Sequence, residues 1–164
     1  GDPEMYLALG NPRKAIAASR GDRSLIVAHA REELGDVHGA LHDYVWMAVE
    51  GVDDAHGALD GFGVDAERLL LGLLADPTLD DGRGLTTLVE HGDELTVWVL
   101  TERSQQEDSE AIEAIVALGN MLKREKPLRP SSRHEARVAL HRASHKGDLL
   151  LRYHATHAIK SLHE

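Results

Sequence analysis

Apolar side chains recur every three or four positions along this chain, the spacing of helices with one buried face. The clearest run follows Gly147. There Asp148 is read as the cap of a helix on which Leu151, Ala155, Ala158, Ile159 and Leu162 share a side. Asp2-Pro3 and Asn11-Pro12 each set a capping residue before a proline at the first helical position, and Gly10 and Gly21 stop the short helices they open. Asp22 is read as the cap of a third helix reaching Leu34. Gly35-Asp36 opens a segment in which Val37, Leu41, Tyr44, Val45 and Ala48 keep helical spacing. Asp53 starts a short segment ending at Leu59, and Gly61-Phe62-Gly63 is a turn. Asp65 then caps an apolar helix that buries Leu69, Leu70, Leu73 and Leu74 before Pro77, and 78–84 reads as a loop.

The second half continues the pattern. A short helix runs from Leu85 to Glu90. Leu95 to Thr101 has the highest β propensity of the chain, yet its neighbours are all helical and a lone strand would have no partner, so helix is predicted from Glu94 to Arg103. Ser104 and Glu107 fit a capping box for a helix to Arg124 that buries Ile112, Ile115, Val116 and Leu122. Gly119 lies on that buried face, where it weakens the helix but lets a neighbour come close. Lys126-Pro127-Leu128-Arg129-Pro130 is a stiff linker, and Ser132 and Glu135 form a second capping box opening a helix to His145. The expectation is an all-α fold: one domain over residues 1–164, about eight or nine helices, arranged as a helical repeat (α-solenoid) or as an irregular bundle.

Composition narrows the function. Aromatics are 4% of the 164 residues, with one Phe, so the core is built from Leu, Ala, Val and Ile, and Trp46 and Trp98 are expected as core anchors. Without cysteine there is no thiolate nucleophile, disulfide or Cys-ligated zinc. No apolar run is long enough to span a bilayer and no leader pattern is recognised, so a cytoplasmic location and no membrane partner are expected.

The net charge of −10 disfavours nucleic acid and acidic membranes in bulk, but the charge is uneven. Residues 121–164 hold ten Lys and Arg against four acidic side chains, and six of the eleven His. An acidic body over 1–125 is thus followed by a basic helix pair over 131–163. Arg133, Arg137, Arg142 and Arg152, with His141 and His145, are the candidate binding residues, and residues 123–160 the candidate surface for an anionic ligand or nucleic acid. The His residues would add charge as pH falls toward about 6.

The final helix pair, Arg133 to Leu162, resembles a HEAT repeat of the phycobilisome-lyase-like type, on Asp148, Leu151-Arg152, Ala155, Ala158-Ile159 and Leu162. The other Gly-Asp segments depart from that pattern: where Ala155 stands they have His29, Asp43 and Leu100. The resemblance implies a helical-repeat end used for protein contacts.

His38 and His42 stand at i and i+4, so on a helix both imidazoles can meet one divalent metal, with Asp43 adding an oxygen ligand. Ala40-Leu41-His42-Asp43 also resembles the signature of HD-domain phosphohydrolases. That resemblance implies metal-bound water attacking phosphorus at His42 and Asp43, with His29 in the place of the upstream histidine. The family's distal Asp has no counterpart, and Val45-Trp46-Met47-Ala48 replaces its acidic motif. His141, His145, His154 and His157 form a second histidine group on the last two helices. The leading expectation is a non-catalytic binding or scaffold module without a cofactor, engaging a protein or an anionic partner through its C-terminal basic helices. The alternative is the metal-dependent phosphohydrolase.

Overall fold

Capping chemistry starts most of the helices. The computed structural model describes residues 2–74, 82–106 and 108–164, and every regular element among them is helical. Asp2 accepts from the Glu4 amide at 3.0 Å to open α1 (Pro3–Ala8), and Asn11 accepts from the Lys14 amide at 3.2 Å to open α2 (Pro12–Ala18). The third helix, α3 (Leu25–Glu33), is capped by Ser24 rather than Asp22, whose amide instead closes the preceding turn on the Ser19 carbonyl. Asp36 caps α4 (Val37–Val49) through the Gly39 amide at 3.0 Å. Then come α5 (Asp53–Leu59) and α6 (Val64–Leu74), with Asp65 inside the first turn of α6 rather than capping it.

The remaining helices are α7 (Arg83–His91), α8 (Glu94–Ser104), α9 (Ser109–Lys123), α10 (Pro130–His145) and α11 (Leu149–Ser161). Eleven helices are thus present among the described residues, where eight or nine were expected. The short segments read at Pro3, Pro12 and Asp53 each form a separate helix, α1, α2 and α5, which brings the number above the overall expectation. The expected loop at 78–84 lies partly outside the described residues, as does Glu107.

The helices divide into two compact units, Gly1–Leu70 and Leu71–Glu164, the division falling within α6. In the first, α4 is the central element. It buries Leu41, Tyr44, Val45, Met47 and Ala48 and packs on α3 and α5. Of the four leucines expected in the core from α6, Leu70 is fully buried and Leu69, Leu73 and Leu74 are half-buried.

In the second unit α9 carries the core, burying Ala111, Ala114, Ile115, Leu118 and Met121 against α8, α10 and α11. The β-prone stretch of α8 is helical because Val97 and Leu100 then share a face and reach that core together. Gly119 does what its position suggested: a Cβ built there would sit 3.1 Å from the Cβ of Ala158, so α9 and α11 meet through a glycine and an alanine. Leu151, Ala155 and Ala158 of α11 are buried, Ile159 and Leu162 half-buried, and Asp148 caps the helix through the Leu151 amide at 2.8 Å.

Two capping boxes give way to other arrangements. Ser104 closes α8, its hydroxyl donating to the Thr101 carbonyl, and Asp108 caps α9 through the Ala111 amide at 3.1 Å. Pro130 starts α10 two residues before Ser132, which leaves Ser132 buried in the first turn. Its hydroxyl donates to Asp93 Oδ1 at 2.6 Å, while the Arg129 amide donates to Asp93 Oδ2 at 3.2 Å. Asp93 precedes α8 but its carboxylate supports the start of α10. The linker is anchored as well: Leu128 is buried, and the Arg124 guanidinium donates to the carbonyls of Val89, Gly92 and Lys126.

Candidate functional site

The basic residues of the last two helices are sorted by helical geometry. The buried stripe of α10 is Ser132, Ala136, Ala139, Leu140 and Ala143. At 100° per residue this puts Arg137, His141 and His145 on the opposite side, and all three are exposed. Arg133 lies nearer the core edge, half-buried, and donates to the Leu128 carbonyl at 3.3 Å. Arg142 stands on the flank toward α8, turned away from Arg133 and Arg137, and Arg152 is exposed on α11. The candidate residues therefore form a broad exposed surface rather than one tight cluster.

Apolar side chains are exposed in the first turns of α11. Leu149 is 82% exposed, Leu150 56% and Tyr153 65%. The Tyr153 ring stacks on His157 and meets His154 edge-on. The histidines of α10 and α11 do not converge as a metal set: no three of their nitrogens lie within 4.8 Å of one another.

Two adjoining cavities flank α10. One, about 400 Å³, lies between α8 and α10 and is lined by Trp98, Thr101, His134, Val138 and Arg142, among others. The other, about 730 Å³, lies at the far end, where Arg142, Lys146, Gln105, Asp108 and Asp148 line it. Gln105, Ala139 and Arg142 belong to both. Trp98 was expected in the core, yet it is 60% exposed. Its neighbours Val97 and Leu100 take the buried face of α8, and one turn of helix cannot point all three inward. Periodicity centred on Val97 and Leu100 would have placed Trp98 outside.

The His42–Asp43 segment is organised differently from a metal centre. Asp43 is buried, and its Oδ2 forms an ion pair with Arg31 Nε at 3.1 Å. Arg31 also reaches Asp36 at 3.4 Å, so one guanidinium serves two carboxylates and fastens α3 to α4. His42 is half-buried with its ring beside Trp46, over which the Arg23 guanidinium lies at 4.7 Å, and His38 is exposed. The ligand atoms of His38, His42 and Asp43 do not come together within 4.8 Å. His29 faces Tyr44 instead, its Nδ1 3.1 Å from the hydroxyl, which also donates to Glu32. Burial, then the hydrogen bond and charge of Glu32, then the charge of Asp43 push the Tyr44 phenol far above its usual range. Asp43, through Arg31, and His29, through Tyr44, thus join α3 to α4.

No helix among the described residues is long and apolar enough to cross a membrane. No family model, curated protein or solved structure matches this chain.

Proposed function

We propose that this protein is a non-catalytic helical binding module that engages a protein or an anionic partner through α10 and α11. The observation that carries the reading is exposure. Arg137, Arg142 and Arg152, with His141 and His145, all stand on the outside of helices whose opposite faces are committed to the core. The guanidinium forks are thus available for bidentate hydrogen bonds to carboxylates or phosphates. On the same reading α10 and α11 form a HEAT-like repeat, supported by the Asp148 cap and the buried Leu151, Ala155 and Ala158. A cytoplasmic location belongs to this proposal.

A fluorescein-labelled single-stranded oligonucleotide, used as a generic polyanion, tests the anionic arm. Binding should weaken steeply with salt and fall in a variant carrying Arg137→Glu and Arg152→Glu. Affinity that is flat with salt, or equal in the variant, rejects a polyanion as the partner. Pull-down from native extract with and without the same substitutions tests the protein arm. A set of captured proteins that is unchanged by the substitutions rejects α10 and α11 as the contact face.

A further inference from the structure

An open groove of about 600 Å³ runs between α7 and α9. Leu85 and Val89 of α7 and Ile112 and Val116 of α9 line it, each pair one turn of helix apart. The core takes these side chains only in part: Leu85, Val89 and Ile112 are half-buried and Val116 is 41% exposed. Two exposed carboxylates, Glu90 and Glu113, line the same groove, and no lysine or arginine does among the described residues. Glu90 also lies 3.9 Å from His91 Nε2. The lining thus suits an occupant that is apolar and positively charged.

The outer side of α11 has that character. Leu149 and Tyr153 stand one turn apart, opposite the buried Leu151, Ala155 and Ala158, and Lys160 continues the line two turns on. Arg152 is exposed on the flank of this stripe. There is no Asp or Glu from Leu149 to Ser161, and the Asp148 carboxylate is engaged by the Leu151 amide. The buried side of α11 is fixed against α9, where Ala158 meets Gly119, so its outer stripe cannot turn into the groove of its own chain.

We propose that α11 of one copy lies in the α7–α9 groove of a second copy of this chain. Leu149 and Tyr153 pack among Leu85, Val89, Ile112 and Val116, and Arg152 and Lys160 face Glu90 and Glu113. This is the helix-in-groove mode, in which an apolar stripe fills the groove and flanking charges set the orientation. The uneven charge of the chain favours it, because the basic end of one copy meets the acidic body of the next. The contact is heterologous: each copy gives a helix and offers a groove, so copies add head to tail until a ring closes. The inference rests on the proposed reading of α11 as a contact face and names the partner as a second copy.

Sedimentation velocity of the full chain from about 1 μM to about 1 mM, the span from tight to marginal association, tests it. Self-association is expected, weakening as salt rises from about 0.05 to about 0.5 M. Val116→Glu spoils the groove and Leu149→Glu spoils the helix. Both positions are exposed, and circular dichroism verifies that each variant remains folded. Each should weaken self-association by about tenfold or more. The decisive measurement mixes the two variants. The first keeps an intact helix and the second an intact groove, so the mixture should form a one-to-one dimer that neither forms alone. A wild-type chain that stays monomeric overturns the inference, as does self-association that ignores salt or survives either substitution. Folded variants that are each monomeric and stay so when mixed overturn the pairing of helix with groove. A monomeric wild type that still passes the oligonucleotide or pull-down test leaves the proposed function standing. Failure of those two tests in a chain that self-associates as described removes only the outside partner.

Discussion

Gly119 offers a quantitative test of how α9 and α11 fit. Replacing it by alanine in an isolated helix would stabilise by about 1 kcal/mol, because glycine is the more costly residue to order. Here the new methyl would lie 3.1 Å from Ala158 Cβ, against about 3.5–4.0 Å for comfortable carbon contact, and 4.0 Å from the Ala158 Cα. The neighbouring atom is a methyl fixed to a helix backbone and cannot swing aside. The two helices must therefore part by a few tenths of an ångström, loosening the contacts of Ile115, Leu118 and Ala155. Such overpacking costs about 1–3 kcal/mol. Gly119→Ala should thus be neutral to destabilising by about 2 kcal/mol, despite the gain in helix propensity. Gly119→Leu should be much worse.

Moving the methyl from one helix to the other isolates the contact. In the double variant Gly119→Ala with Ala158→Gly, the new methyl faces a glycine, so the clash disappears. Urea unfolding of the wild type, both single variants and the double variant, followed by far-ultraviolet circular dichroism, gives the coupling energy. The double variant should be more stable than the summed single effects by about 1 kcal/mol or more. Additivity within about 0.5 kcal/mol would mean the helices do not meet at these positions. A Gly119→Leu protein as stable as the wild type would refute the close approach altogether.

Three further outcomes follow from the polar contacts. Asp93→Ala removes the acceptor for the buried Ser132 hydroxyl and for the Arg129 amide, and should cost about 1–3 kcal/mol in urea unfolding. Adding Ser132→Ala to it should then cost little more. Arg31→Met leaves the Asp43 carboxylate buried without its cation, which costs several kcal/mol for a fully buried pair. Because Arg31 is 35% exposed, about 1–3 kcal/mol is expected, and Asp43→Asn in the same background should recover part of it. Tyr44 supplies the pH dependence. Its folded pKa lies above the unfolded value of about 10, so above that pH the unfolded state loses a proton that the folded state keeps. Stability from this group is complete below pH 10 and declines as pH rises beyond it. Tyr44→Phe should flatten that decline, and phenolate absorbance should show one of the three tyrosines titrating only on unfolding.

Helix positions were legible in the sequence wherever the signal was local. Asp2, Asn11, Asp36 and Asp148 cap the helices they precede, because a side chain two or three residues from an open amide needs nothing else to reach it. Asp22, Ser104 and Ser132 satisfy the same local rule and fail it for different reasons. A glycine turn takes Asp22. Ser104 bonds back to its own helix, and Pro130 starts α10 early. Asp93 shows why the rest was hidden: its partners Arg129 and Ser132 lie 36 and 39 positions away, and no local pattern encodes that contact. The Asp43 carboxylate was legible as a candidate oxygen ligand and is held in an ion pair, and the His42-Asp43 dipeptide does not reveal that Arg31 comes from α3 to reach it.

The departures of apolar residues from expectation carry more weight than the agreements. Half-exposed leucines are ordinary on any protein, and a single one needs no explanation. Trp98, Leu149 and Leu150 are different, because this chain has few large side chains to spare and builds its core from alanine, leucine and valine. A Trp placed at 60% exposure gains little for folding, while the smaller Val97 beside it is fully buried. Trp98→Ala should therefore leave stability almost unchanged, within about 0.5 kcal/mol as for surface substitutions. Thermal unfolding measures it. A loss of several kcal/mol would show that the indole serves the core after all.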